Sequence, residues 1–222
     1  MVMAPNITDY LSDIQHALSC VDPDAIDTIV SRLFLAYVAG QTVFTCGNGA
    51  SAALASHMAC DLGKGTAVDL GRGPDALSDR RLRIHSLNDN VALLTAFSND
   101  LDYQDVFVEQ LKNLLNPDDV VIGISGSGGS PNVLRAMHYA RRVGATTIGL
   151  TGSQPSATRL TDLCDLWLQV APQLMEQIED LHVIVHHIIG LSLRSRIADH
   201  ALAASSLRLP SEVALAYANP GG

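Results

Sequence analysis

Two rhythms alternate along the chain. Short apolar runs at 42–46, 82–87, 120–124, 146–150 and 166–170 are of strand length and rich in Val, Ile, Leu and Thr. Runs that are apolar on both faces mark strands buried on both sides, as in a parallel sheet. Between them, apolar residues recur at steps of three and four. That spacing predicts helices over 51–62, 90–97, 103–115, 131–143 and 157–160, then one long helix from Gln173 to about Ala204 with Gly190 tolerated inside it. Two further helices, 5–21 and 24–39, precede the first strand and are separated by Asp22-Pro23-Asp24, which breaks one and starts the next. Strand–helix alternation with short connections predicts an α/β fold, a three-layer αβα sandwich around a parallel, flavodoxin-like sheet with extra N- and C-terminal helices. Residues 1–205 then form one domain with an N-terminal helical extension, and 206–222 form a C-terminal tail.

In such a sheet ligands bind beyond the carboxyl ends of the strands. Three small-residue turns follow predicted strands or lie near their ends: Gly47-Asn48-Gly49-Ala50-Ser51, Ser98-Asn99-Asp100 and Ser125-Gly126-Ser127-Gly128-Gly129-Ser130. The last carries the most chemistry. Ser130 is placed to N-cap the next helix and Pro131 to be its first residue. A strand, a glycine-rich turn and a helix N-terminus direct free N–H groups and partial positive charge at one point, and three serine hydroxyls add donors. The matching guest is a phosphate ester. The turn lacks the Gly-Lys-Ser/Thr of a nucleotide P-loop and the GxGxxG of a dinucleotide site.

Composition narrows the class. Of 222 residues, 47% are hydrophobic and 17% charged, which suits a large core and excludes a disordered chain. A net charge of −9 with no basic stripe argues against nucleic acid as the main partner, although Arg72, Arg80, Arg81 and Arg83 form a small basic group. Arg72, Arg80 and Arg81 of that group fall in 63–81, a stretch without periodicity that reads as a long loop. No apolar run is long enough to span a membrane, and the first residues have neither the basic nor the apolar part of an export signal. The cysteines, Cys20, Cys46, Cys60 and Cys164, show no metal-type pairing, as expected for thiols of a reducing cytoplasm.

Histidines and carboxylates share helical faces at two places. His57 and Asp61 stand at i, i+4 on one helix; Glu179, His182, His186 and His187 fall within three turns of the long one. Glu179, His182 and His186 line one stripe best, with His187 roughly 80° round from Glu179. Spacing alone does not choose among them. Two imidazoles and two carboxylates suit a divalent metal such as zinc, and equally suit proton transfer near neutral pH.

The three turns, the ten-residue step from Ser51 to Asp61, and Leu150-Thr151-Gly152 occur in the order seen in a SIS (sugar isomerase) domain, and the chain most resembles the phosphoheptose isomerase family. The resemblance covers roughly 5–198. It implies isomerisation of sedoheptulose 7-phosphate to the aldoheptose 7-phosphate, D-glycero-D-manno-heptose 7-phosphate, through an enediol, by a cytoplasmic homotetramer with sites between subunits and one zinc per site. Carried over by position, Ser125, Gly126, Ser127 and Ser130 hold the phosphate, with Gly126 where the family has threonine. Asn48, Gly49, Ser51 and Asp100 contact the sugar or the neighbouring loop. The resemblance makes His57, Asp61, Glu179 and His187 metal ligands, with Asp61, Glu179 and His187 catalytic and His182 structural. Two residues depart from the family: Asp61 replaces its glutamate, and Glu179 its glutamine. Other similar chains are non-catalytic phosphosugar sensors or tetrameric scaffolds that bind the replication initiator. The scaffold type lacks the histidine pair.

Overall fold

The computed structural model describes residues 5–67 and 80–206. Helices α1 (Ile7–Ser19) and α2 (Pro23–Ala39) lead into β1 (Thr42–Gly47), α3 (Ala50–Gly65), β2 (Arg83–Ser86), α4 (Val91–Asp100), α5 (Val106–Leu114), β3 (Val120–Ser125), α6 (Pro131–Val143), β4 (Thr146–Gly152), the single turn α7 (Thr158–Thr161), β5 (Leu166–Val170) and α8 (Met175–Ser206). All five strands are parallel, in the order β2-β1-β3-β4-β5. This is the flavodoxin-like order expected, and its direction of winding reverses between β1 and β3, where such sheets open a ligand crevice.

The sheet separates two apolar cores. On one face α2, α3 and α8 bury Leu33, Met58, Leu62, Val185, Ile189 and Leu193 against Val43, Ile122 and Ile148. On the other, α5 and α6 bury Phe107, Leu111, Val133 and Met137 against Phe44 and Val121. Both faces being covered explains why β1, β3 and β4 are almost continuously buried and read as solid apolar runs.

Differences from expectation are local. Ser98-Asn99-Asp100 is not a turn but the last turn of α4, whose N-cap Asn90 accepts from the Leu93 N–H. The stretch 103–115 starts as a 3₁₀ turn before α5, capped by Asp102. Helix α3 runs on to Gly65, so the expected loop 63–81 begins later. Positions 68–79, with Arg72, and the expected tail from 207 onward lie outside the described residues. Of the other basic residues in that group, Arg80 donates to the Val38 carbonyl.

Candidate active site

The crevice at the strand ends is built from two adjacent turns. In the β1–β3 register Gly47 pairs with Ile124, and in the β3–β4 register Ser125 pairs with Thr151, which brings the turns after β1, β3 and β4 side by side. In the turn after β3, the Ser125 hydroxyl lies 3.0 Å from that of Ser130 and 3.5 Å from that of Ser127. The Gly129 N–H donates to Ser127 Oγ at 3.2 Å, and the Gly128 N–H to the Ser125 carbonyl at 2.9 Å. Gly128 is left-handed (φ 64°), and a β-carbon there would sit 2.4 Å from Ala157 Cα, so no side chain fits. Ser130 occupies the N-cap position of α6, yet its hydroxyl makes no capping bond. It turns into the loop instead. Three hydroxyls therefore converge at a helix start, an arrangement that could cradle an anion, although the Val133 N–H is already taken by Asn132 Oδ1 at 3.0 Å.

The turn after β1 is tied to this cradle. The side-chain amides of Asn48 and Asn132 exchange two hydrogen bonds of 2.8 Å, and the Tyr103 hydroxyl donates to Asn48 Oδ1 at 3.0 Å. Asn48, Tyr103, Ser130 and Asn132 line a cavity of about 370 Å³. Asn132 and Tyr103 were not singled out from the sequence; neither carries a motif, and only the fold brings them to Asn48. Gly49, with φ 58°, makes the sharp entry into α3, and Ser51 is buried in that helix's first turn. Asp100 is exposed at the end of α4, where it accepts from Asn99.

The second feature lies on the helical layer, where α3 packs on α8. His57 Nε2 is 3.1 Å, His186 Nε2 3.2 Å and His187 Nε2 3.9 Å from one atom, Asp61 Oδ2. Three imidazole nitrogens and a carboxylate oxygen lie within 4.8 Å of one another, a donor set that could hold a divalent metal. His186 is fully buried, and among the described residues its Nδ1 has no partner while its Nε2 faces Asp61. Burial, reinforced by the neighbouring His187 and His57 and opposed by Asp61, pushes its pKa down to about 4. The ring is therefore neutral at physiological pH, the charge state a metal ligand needs.

One placement differs from the carried-over ligand set. The group contains His186 as well as His187, and Glu179 is outside it. Glu179 stands two turns before His187, about 12 Å away along the helix axis. That stretch of α8 faces α1: the Tyr10 hydroxyl donates to Asp180 at 2.7 Å, and this bond, with the charges of Asp180, Glu176 and Glu179, raises the Tyr10 pKa to about 12. Residues His186 and His187 share a turn and reach Asp61 together, whereas Glu179 would have to span two turns. His182 is buried between the two regions, its pKa pushed down to about 4 by desolvation against a hydrogen bond to the Thr151 backbone, and its Nε2 has no partner among the described residues.

Helix α8 links cradle and cluster. Its first residues press on the cradle strand ends: β-carbons built on Gly126 and Gly152 would meet Met175 Sδ at 2.5 Å and Ile178 Cδ1 at 2.7 Å. His186 follows Ile178 by eight residues, about 12 Å along the axis. Met175, Glu179 and His186 lie within about 40° of one another around α8, so Glu179 stands on the stripe between the two features.

A parallel five-stranded sheet with an anion cradle at its winding reversal is the architecture of a SIS-domain protein, and the SIS domain family matches residues 8–152. Over most of its length the chain is similar to named enzymes of that class. It is 35% identical over 183 residues to the phosphoheptose isomerase of Crocosphaera subtropica, covering 79% of this chain and 88% of that one. The phosphoheptose isomerase of Mycobacterium bovis is 36% identical over 179 residues, covering 81% of this chain and 83% of the relative. Solved phosphoheptose isomerases from Neisseria gonorrhoeae and Francisella tularensis superpose with TM-scores of 0.73 and 0.74 at 25% identity, each over 85% of this chain and over 94% and 96% of theirs. The chain belongs to the phosphoheptose isomerase family and is an isomerase.

Proposed function

We propose that the protein isomerises sedoheptulose 7-phosphate to D-glycero-D-manno-heptose 7-phosphate. The observation that carries this reading is the stripe along α8: an anion cradle at its start and an imidazole–carboxylate cluster about 12 Å further on, a span of the order of an extended heptose phosphate. The cradle holds the phosphate and so aligns the far end of the open-chain sugar. Glu179, which makes no hydrogen bond among the described residues, takes the proton from the carbon next to the carbonyl. The electron pair left behind forms the enediol, and Glu179 returns the proton to the former carbonyl carbon. His187, half exposed at the edge of the cluster, carries a proton from one sugar oxygen to the other. Asp61, engaged by the imidazoles, orients them.

The metal of this reading is zinc, held by His57, Asp61, His186 and His187, whose nitrogen-rich donor set suits it better than magnesium or calcium. Bound there, zinc would supply a Lewis acid for the sugar carbonyl. The working form of this reading is a cytoplasmic homotetramer with sites between subunits. Its support is the apolar surface that α1, α2 and α8 leave open, where Ile7, Leu11, Leu35 and Leu191 are 83%, 64%, 59% and 68% exposed. The four unpaired cysteines fit a reducing compartment, and no described helix is long and apolar enough to cross a membrane.

Incubation with sedoheptulose 7-phosphate, with and without zinc, tests the reading. Aldoheptose phosphate is expected to form, and to stop forming in His187→Ala. Tight binding of the sugar phosphate with no turnover would instead identify a phosphosugar sensor.

A further inference from the structure

The cradle as described holds no positive side chain. A phosphate monoester carries a charge of about −1.5 to −2 at neutral pH, and hydroxyls with backbone N–H groups solvate that charge without neutralising it. Within the turn itself, Ser125 to Ser130 supplies only small neutral residues. The segment between β4 and β5 changes this. The Ser156 hydroxyl donates to the Ser127 carbonyl at 2.6 Å, and Ala157 packs so closely on Gly128 that a β-carbon there would lie 2.4 Å from Ala157 Cα. The segment is thus seated on the cradle by one hydrogen bond and one backbone contact. Two residues on, it delivers Arg159. A β-carbon built on Gly129 would find Arg159 Nη1 and Ser127 Oγ both at 3.7 Å, so guanidinium and hydroxyl flank the same point above the turn. Arg159 is exposed and has neither an ion pair nor a hydrogen bond among the described residues.

We propose that Arg159 is a phosphate-binding residue, closing over the cradle to pair with the dianionic phosphoryl group that the serines hold. The inference rests on the cradle being the phosphate site. It adds that a cation from a separate segment completes it. Gly129 is what leaves room: any side chain there would stand between the guanidinium and Ser127. An arginine suits the task because its planar fork can give a phosphate two parallel hydrogen bonds, where a lysine offers a point charge.

Titration calorimetry of the full chain with inorganic phosphate, and then with sedoheptulose 7-phosphate, tests the assignment. Removing one charge-assisted contact is expected to weaken phosphate binding about 10- to 100-fold in Arg159→Gln. Arg159→Lys should fall between the two, and the weakening should shrink as salt is added. In turnover the Arg159→Gln loss is expected mainly in KM, as for a contact made equally in ground and transition states. Both variants alter an exposed residue and should fold, which circular dichroism verifies. Parent-like binding in Arg159→Gln, within twofold, would overturn the assignment and leave the cradle reading intact. A parent that binds neither ligand would overturn both.

Discussion

The cradle and the cluster are made in opposite ways. The cradle takes its three hydroxyls from six consecutive residues, positioned by a strand and a helix start and braced by the Ser156–Ala157 segment. The cluster joins residues of α3 to residues of α8 that are 125 positions away in the chain, and it exists only while Met58 and Leu62 stay packed with Val185 and Ile189. A slip of one residue along α8 would turn its histidines about 100° away from Asp61. The hydroxyls of the cradle are therefore placed mainly by local sequence. The chemistry is a property of tertiary packing, and the two should respond differently to substitution.

The largest effect is expected at Glu179, which belongs to neither region but lies on the stripe joining them. Glu179→Gln should lower kcat by about 10²- to 10⁴-fold, the usual contribution of a positioned acid–base group, with zinc affinity unchanged by equilibrium competition. A parallel loss of zinc affinity would break the comparison, because it would move Glu179 into the cluster. His182, buried on the same helix, is next. Its pKa is about 4 in the folded protein against the ordinary 6.5, so the unfolded chain binds a proton across that window and the folded one does not. The stability that His182 contributes is complete above pH 6.5, falls as the pH drops towards 4, and is then flat. Urea unfolding at pH 7 and pH 5 should differ by about 2 kcal/mol from this group alone, and His182→Leu should remove that share of the slope while leaving that of His186.

A smaller change sharpens the cradle side. Ser130→Ala removes one hydroxyl without touching a helix cap, since Ser130 caps nothing. KM should rise about tenfold, the worth of one hydrogen bond to a charged group, with no change in thermal stability. A drop in melting temperature would show that the hydroxyl braces the loop through Ser125.

This division also explains what could be read from the sequence. The positions of strands and helices and the serine turn rest on periodicity and neighbouring residues, so they were legible within a few positions. The pairing of His57 with Asp61 was legible for the same reason, being one helical turn. Which residues of α8 join them was not. Wheel geometry favoured Glu179, His182 and His186, and resemblance favoured Glu179 and His187. The packed helices bring His186 and His187 together and leave Glu179 aside, because the choice depends on the rotation of α8 against α3. The pairing of Asn132 with Asn48 and the approach of Tyr103 and Arg159 come from the sheet register and a seated loop, for which the sequence carries no signal.

Gly126 offers the finest test, because it is the place where the cradle meets the start of α8. Resemblance puts threonine at this position, yet a β-carbon here would lie 2.5 Å from Met175 Sδ and 3.5 Å from its Cε. Met175 therefore fills the room that a threonine side chain would take. The obstacle is the flexible end of a side chain that is 39% exposed, and Gly126 has an ordinary backbone conformation. Gly126→Ala should then cost less than about 1 kcal/mol, since Met can swing aside with little loss of packing. Combining it with Met175→Ala should cost less than the sum of the two single changes, a coupling that a double-mutant cycle in urea would measure. Additive costs would mean that Met175 does not occupy that space in solution, and that the cradle does not depend on the start of α8.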